Sequence, residues 1–266
     1  MIDIEHTVKI AQEYLFYKLT AKSTEGHGIH SPFVYHFVKD VIRDYGLDAN
    51  LQLIEKFRQE LQNSQNFVGF SSHGAGSIKG SRAYTLGKLI RTSSIKPKLG
   101  AFLYRLCKWL DAKTILEIGT SIGISTLYFA KACPQAKIIT LEGDRQRAYF
   151  AKKTFDAMDC KNVELHQGDF DFSLFKIIDK QPKIDLVLFD GNHKPEPTLK
   201  YFKLCSELKH ENSVFVFDDI RWSKEMYKTW QIISDHKSVS ISFDLFNFGV
   251  ILFRKGIPKQ HFTINL

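Results

Sequence analysis

Between Leu61 and Leu110 the sequence contains no Asp or Glu, while Lys79, Arg82, Lys88, Arg91, Lys96, Lys98, Arg105 and Lys108 supply eight positive charges. The chain has a net charge of +8, so this window accounts for the whole excess. A segment of this kind can meet the phosphate groups of a nucleotide, lipid or nucleic acid, or it can be an ordinary solvated helical face. Cysteine is scarce. Cys107, Cys133, Cys160 and Cys205 lie far apart, with no CxxC or His/Cys spacing, which argues against a zinc site or a redox pair. They are expected to be reduced thiols of a cytoplasmic protein. No run approaches the roughly 18 apolar residues of a membrane span. The first residues, MIDIEHTVKIAQEY, carry acids where a secretory signal carries bases, so a soluble protein is expected. Long low-complexity tracts and internal repeats are also missing.

What remains is a globular balance, 44% hydrophobic and 25% charged residues over 266 positions, enough for one α/β core with an added cap. From Thr114 onward, short apolar runs alternate with amphipathic stretches: TILEIG, KIITLEG, NVELHQG, IDLVLFDG and SVFVFDD. Apolar runs without polar alternation suit strands buried on both faces, and the intervening stretches suit crossover helices, which predicts a parallel sheet. SVSISFDLFN and FGVILFRKG follow with no helix between them and read as an antiparallel hairpin turning near Asn247 to Gly249. Residues 1–95 read differently. IDIEHTVKIAQEYLFYKL, SPFVYHFVKDVIRDY and NLQLIEKFRQELQ have helical spacing, with Ser31 and Pro32 placed as N-cap and first helical residue. We expect a helical cap over residues 1–95 and an α/β domain over 96–266.

LEIGTSIGIST, residues 116–126, is a strand, a glycine turn and a helix start. Such a turn allows close backbone approach to a ligand at a helix N-terminus, or it is simply a tight βα turn. Gly119 and Gly123 stand four apart, and Ser121 occupies the middle glycine position of G-x-G-x-x-G. Glu142 ends the next strand, where an acid can accept from both ribose hydroxyls, and Asp169 in QGDF ends the third, where a carboxylate can reach an adenine amino group. Either acid can instead cap a helix.

The order Glu117-x-Gly119-x-x-x-Gly123, Glu142, Gly168-Asp169 and the closing hairpin resembles class I S-adenosylmethionine-dependent methyltransferases. The resemblance covers roughly Lys98 to Lys255. It implies a Rossmann-like seven-stranded sheet with six parallel strands and one antiparallel, and a cofactor site at Glu117, Gly119, Ser121, Gly123, Glu142, Asp169 and Asp190. The fourth strand ends in FDGNH and the fifth runs VFVFDDIRW, placing Asp190, Asp218 and Asp219 at neighbouring strand ends. Three carboxylates with room for water and substrate suit Mg²⁺ or another divalent cation, or the acids orient the methionine moiety or cap helices. This subset is similar to the divalent-metal-dependent O-methyltransferases of the catechol and caffeoyl-coenzyme A type. Their Asp and Asp-Asn ligands correspond to Asp190, Asp218 and Asp219, with Asn replaced by Asp219 and the family's lysine by His193.

The resemblance implies O-methylation of a small or medium hydroxylated acceptor, with Asp190 and His193 in catalytic positions and His193 as the base. The runner-up readings are an RNA methyltransferase using the basic window, disfavoured because FDGNH is not the Asn/Asp-Pro-Pro-aromatic run of base-amine methylation, and a non-catalytic S-adenosylmethionine binder. His27, His30 and His36 lie close together among aromatics, His27 and His30 can line an acceptor pocket, and HGAGSIKGS, with Gly74, Gly76 and Lys79, reads as a lid or a phosphate-wrapping loop.

Overall fold

In a computed structural model of the chain, residues 13–15, 17–19, 21, 31–43, 46, 48–68, 84–179 and 183–266 are described. His27, His30 and the glycine loop with Gly74, Gly76 and Lys79 lie outside them. Residues 13–15 and 17–19 are helical. Then come α1 (Pro32–Phe37), continued by a π-helical turn at Val38–Ile42, and α2 (Ala49–Gln62). A two-stranded ribbon of β1 (Phe67–Val68) and β2 (Tyr84–Thr85) leads to α3 (Leu86–Ser93) and α4 (Pro97–Leu110). The alternating region contributes β3 (Thr114–Ile118), α5 (Ile124–Ala132), β4 (Lys137–Glu142), α6 (Arg145–Ala157), β5 (Val163–Gln167), α7 (Phe170–Ile178), β6 (Leu186–Phe189), α8 (Pro195–Ser206), β7 (Val214–Phe217) and α9 (Lys224–Ser234). β8 (Ile241–Leu245), β9 (Phe248–Leu252) and β10 (Gln260–Thr263) close the chain.

The sheet runs β10-β8-β9-β7-β6-β3-β4-β5. Every pairing is parallel except those of β9, which runs antiparallel to both β7 and β8. The Rossmann-like sheet and its reversed hairpin strand are therefore as expected, with one correction: the sheet has eight strands rather than seven, because Gln260–Thr263 adds parallel to β8. Its edge position explains its weak signal in the sequence, since QHFT carries only one buried apolar side chain, Phe262. At the centre, LVLF of β6 and VFVF of β7 are buried at every position, as a strand covered on both faces requires.

α5 is buried over Ile124–Ala130, because it lies between the sheet and helices α2 and α4. Gly100 of α4 permits that approach: a Cβ there would stand 2.2 Å from the Tyr128 ring. The Tyr128 hydroxyl donates to Glu55 of α2, whose other oxygen accepts from Arg58 Nε at 3.0 Å, and Arg58 Nη1 donates to the Ile95 carbonyl at 2.9 Å. Buried Arg58 thus ties α2 to the junction of α3 and α4. Across the sheet, Phe37 stacks on Phe243 with centroids 4.6 Å apart and 15° between planes. Such a pair contributes about 1 kcal/mol beyond its buried area. The apolar core is continuous from Val34 and Ile54 of the first helices to Leu252 of β9. No helix among the described residues is long and apolar enough to cross a membrane, and all four cysteines are free thiols.

Candidate functional site

Backbone hydrogen bonds align the carboxyl ends of the strands in a row. Gly168 N–H donates to Glu142 O at 2.9 Å, Gly119 N–H to Leu141 O at 3.0 Å, Asp190 N–H to Ile118 O at 2.9 Å and Asp218 N–H to Phe189 O at 2.9 Å. Asp169, Glu142, Gly119, Asp190 and Asp218 consequently sit along one edge. β3 lies between β4 and β6, the point where the strand order reverses and where ligands bind in open α/β sheets.

The β3–α5 turn is shaped by glycine and by Glu142. Gly119 has φ +107°, and a Cβ on it would lie 2.4 Å from the Asp190 carbonyl oxygen. Gly123, at φ +86°, faces the Phe155 ring. Ser121, at φ +51°, donates its backbone N–H to Glu142 Oε2 at 2.7 Å, while Glu142 Oε1 accepts from Asp144 N–H at 2.8 Å. Glu142 is 4% exposed, and burial raises its carboxyl pKa against the pull of these backbone donors and Arg147. Glu117 is fully buried one layer below. Its Oε2 accepts from Thr126 Oγ1 at 2.5 Å and Thr140 Oγ1 at 2.6 Å, while Oε1 has no hydrogen-bond partner among the described residues. Burial pushes its carboxyl upward as well. Asp169 is exposed and caps α7 by accepting from Phe172 N–H at 3.1 Å, the capping alternative that its position allowed.

Beyond β6 and β7 the acids gather. Burial raises the pKa of Asp190 and of Asp218, and the neighbouring carboxylates add to it. Asp218 also accepts from Asp219 N–H at 2.8 Å. His193 Nε2 stands 3.8 Å from Asp190 Oδ1 and 3.9 Å from Asp219 Oδ2. Its imidazole is held below the usual histidine pKa by burial, with the Asp219 charge opposing. Among the described residues no three His, Cys, Asp or Glu side chains converge as a formed metal centre does. The donor set nonetheless suits a hard cation: three carboxylates crowded enough to repel one another, which a divalent charge would relieve.

Trp222 is a member of the site that sequence reasoning does not single out. It is 55% exposed, and its ring tilts over His193 at 5.6 Å and 31°. The signal available is an aromatic three positions past Asp219 in a loop otherwise bound for a helix. His36 is exposed, 3.9 Å from Asp40. The basic window is partly consumed by the fold: Arg91 donates to the Gln62 carbonyl, Arg105 Nε to the Val41 carbonyl at 2.8 Å, and Lys108 pairs with Asp48 at 3.3 Å. These contacts favour the solvated-face reading over a nucleic-acid surface. A cavity of about 400 Å³ opens at the opposite, amino-terminal edge, lined by Asn50, Lys131, Pro134, Asp159, Lys161 and Asn162. Lys131 there bonds the Met158 carbonyl and Lys161 pairs with Asp159, so the chemistry lies elsewhere.

Comparison with known proteins agrees with this geometry. A methyltransferase-domain family model matches residues 116–220. A catechol O-methyltransferase of Niastella koreensis is 32% identical over 137 residues, 48% of this chain and 58% of the relative, so little more than half of that protein's length is matched. An O-methyltransferase of Bacillus cereus, solved in complex with S-adenosylhomocysteine, superposes with a TM-score of 0.54 at 20% identity, covering 83% of this chain and 97% of the other. An O-methyltransferase of Streptomyces achromogenes involved in tomaymycin synthesis, solved with S-adenosylmethionine, gives 0.56 at 19% identity over 83% and 95%. Residues 116–220, which carry the glycine turn and the acids along the strand ends, are thus similar to a methyltransferase domain, and the sheet with its reversed strand shares the fold of both solved structures.

Proposed function

We propose that the chain transfers a methyl group from S-adenosylmethionine to a hydroxyl of a small or medium acceptor. The observation that carries this is the single sheet edge bearing Glu142, Asp190, Asp218 and Asp219 with His193 among them. Glu142, fixed by two backbone donors, is the candidate for the ribose of the methyl donor, with the Gly119 turn beside it. The fit of Gly119 against Asp190 sets how close the donor's end of the edge comes to the acceptor's end.

Displacement at a sulfonium asks mainly for alignment of oxygen, methyl carbon and sulfur, so most of the rate comes from holding the partners in line. The acceptor O–H proton has to leave as the C–O bond forms and the C–S bond breaks. His193, with its pKa lowered, is neutral at pH 7 and so able to take that proton. The Trp222 ring gives the acceptor an apolar wall beside the imidazole. Asp190, Asp218 and Asp219 are the residues that would hold a divalent cation, which when bound would lower the pKa of the acceptor hydroxyl. Residues 1–95 are proposed as a helical cap that shapes the acceptor side.

The test is calorimetric. S-adenosylhomocysteine is titrated into the protein, then Mg²⁺ into the saturated complex, with Asp190→Ala as control. Saturable binding of both, with the Mg²⁺ step lost in the variant, is expected. Binding of neither would overturn the proposal, and binding of S-adenosylhomocysteine alone would leave methyl transfer standing without the metal.

A further inference from the structure

The loop that carries two of the three acids is held from behind by Arg221. Its side chain is 12% exposed, and the guanidinium is gripped end-on by Asp244 of β8, Nη1 to Oδ1 and Nη2 to Oδ2, both at 2.7 Å. Nη1 also donates to the Phe246 carbonyl at 3.0 Å. Three rings enclose the cation: Tyr227 at 4.4 Å, Phe246 at 4.9 Å and Tyr17 of the first helical segment at 5.8 Å. Tyr17 in turn donates its hydroxyl to the Ile264 carbonyl, and Tyr14 meets Phe246 edge-on at 5.0 Å. Three separate parts of the chain thus meet on one side chain.

The front of the loop has a shape that needs such support. Asp219 is in the left-handed region at φ +51°, which aspartate tolerates better than most residues but at some cost relative to the right-handed region. Ile220 N–H donates to Asn247 O at 3.2 Å and Trp222 N–H to Asp219 O at 2.8 Å, which fix the peptides on either side. Asp219 and Trp222 then point to His193, while Arg221 between them points the opposite way, to Asp244. A bidentate fork fixes orientation as well as distance, which a lysine ammonium does not.

We infer that Arg221 is a positioning residue: locked by Asp244, it holds the Asp218–Trp222 loop in the shape that turns Asp219 and Trp222 toward His193. The inference rests on the site proposed above, although the loop geometry is measurable without any acceptor. A residue serving only as a hairpin staple would stabilise β8 and β9 without affecting His193.

The experiment uses the full chain at one fixed pH and follows the ring protons of His193 by NMR. Trp222→Phe marks how much of the His193 chemical shift comes from the tryptophan ring. Arg221→Leu is expected to remove that contribution, with backbone amides of 219–222 exchanging at least tenfold faster, while Arg221→Lys restores part of it. If Arg221→Leu does not fold, Arg221→Met with Asp244→Leu removes both charges together and answers the same question. An unmoved His193 signal in a folded variant overturns the inference, as does faster exchange spread evenly over β8 and β9. Titration of wild type with S-adenosylhomocysteine runs alongside. Failure to bind it would sink the methyltransferase reading, while the His193 signal still decides the role of Arg221.

Discussion

The carbonyl of Asp190 occupies the space where a side chain on Gly119 would be: the two atoms would stand 2.4 Å apart. A residue of the donor turn and a residue of the acid cluster therefore share one contact across neighbouring strands, β3 and β6.

Gly119→Ala should be costly on two counts, the backbone contact and a φ of +107° that a Cβ disfavours. On the order of 3 kcal/mol of stability should be lost, and binding of S-adenosylhomocysteine should fall with it. Urea unfolding and calorimetry measure both. A variant of wild-type stability would show that the turn relaxes freely.

Glu117→Gln tests the buried acid below the turn. The folded pKa of Glu117 is raised above its ordinary 4.5 by burial, so the folded state holds its proton more tightly than the unfolded chain. The contribution of that proton to stability is complete below the ordinary carboxyl pKa and is lost as pH rises through the folded value. Relative to the glutamine variant, wild type should therefore lose stability as pH rises above 4.5, until the folded carboxyl has ionised. Urea unfolding of both proteins across that range measures it, and parallel pH–stability curves would contradict it.

His193→Ala should lower kcat by about 10² to 10⁴, the range for a lost general base, with affinity for S-adenosylhomocysteine unchanged. The imidazole lies beside Asp190 and Asp219 rather than in the glycine turn. Unchanged turnover on an accepted substrate would remove it from the chemistry.

Gly100→Ala would drive a methyl group into the Tyr128 ring, 2.2 Å away. The ring must shift, and its hydroxyl would leave Glu55. A loss of about 1–3 kcal/mol is expected for such overpacking, read as a lower Tm. No change would mean that α4 and α5 separate without penalty.

The sheet is readable in the sequence because its strands are buried on both faces, so LVLF and VFVF carry an unbroken apolar signal. The edge strand Gln260–Thr263 sends no such signal. Among the site residues, the acids at strand ends are visible as interruptions of apolar runs, and position alone brings Asp190 and Asp218 together. What Asp169 does with its oxygen is a matter of local geometry, and it caps α7. The Arg221–Asp244 pair is invisible for a different reason: two charges on separate elements have no periodicity to mark them, and their meeting depends on how the hairpin folds back.

That folding back also governs when the site can form. β7 runs directly into Asp218, and one of its two neighbours is β9, built from Phe248–Leu252. During synthesis the strand bearing the acids emerges with one flank open, and it stays open until the β8–β9 hairpin has been made and β9 has docked against β7. Closure of that kind is non-local and slow, and an unpaired apolar strand invites the wrong partner while it waits. The Asp218 side of the edge proposed for methyl transfer is thus sealed late, and hairpin substitutions away from Asp244 should reduce the yield of folded protein more than the activity of the molecules that succeed.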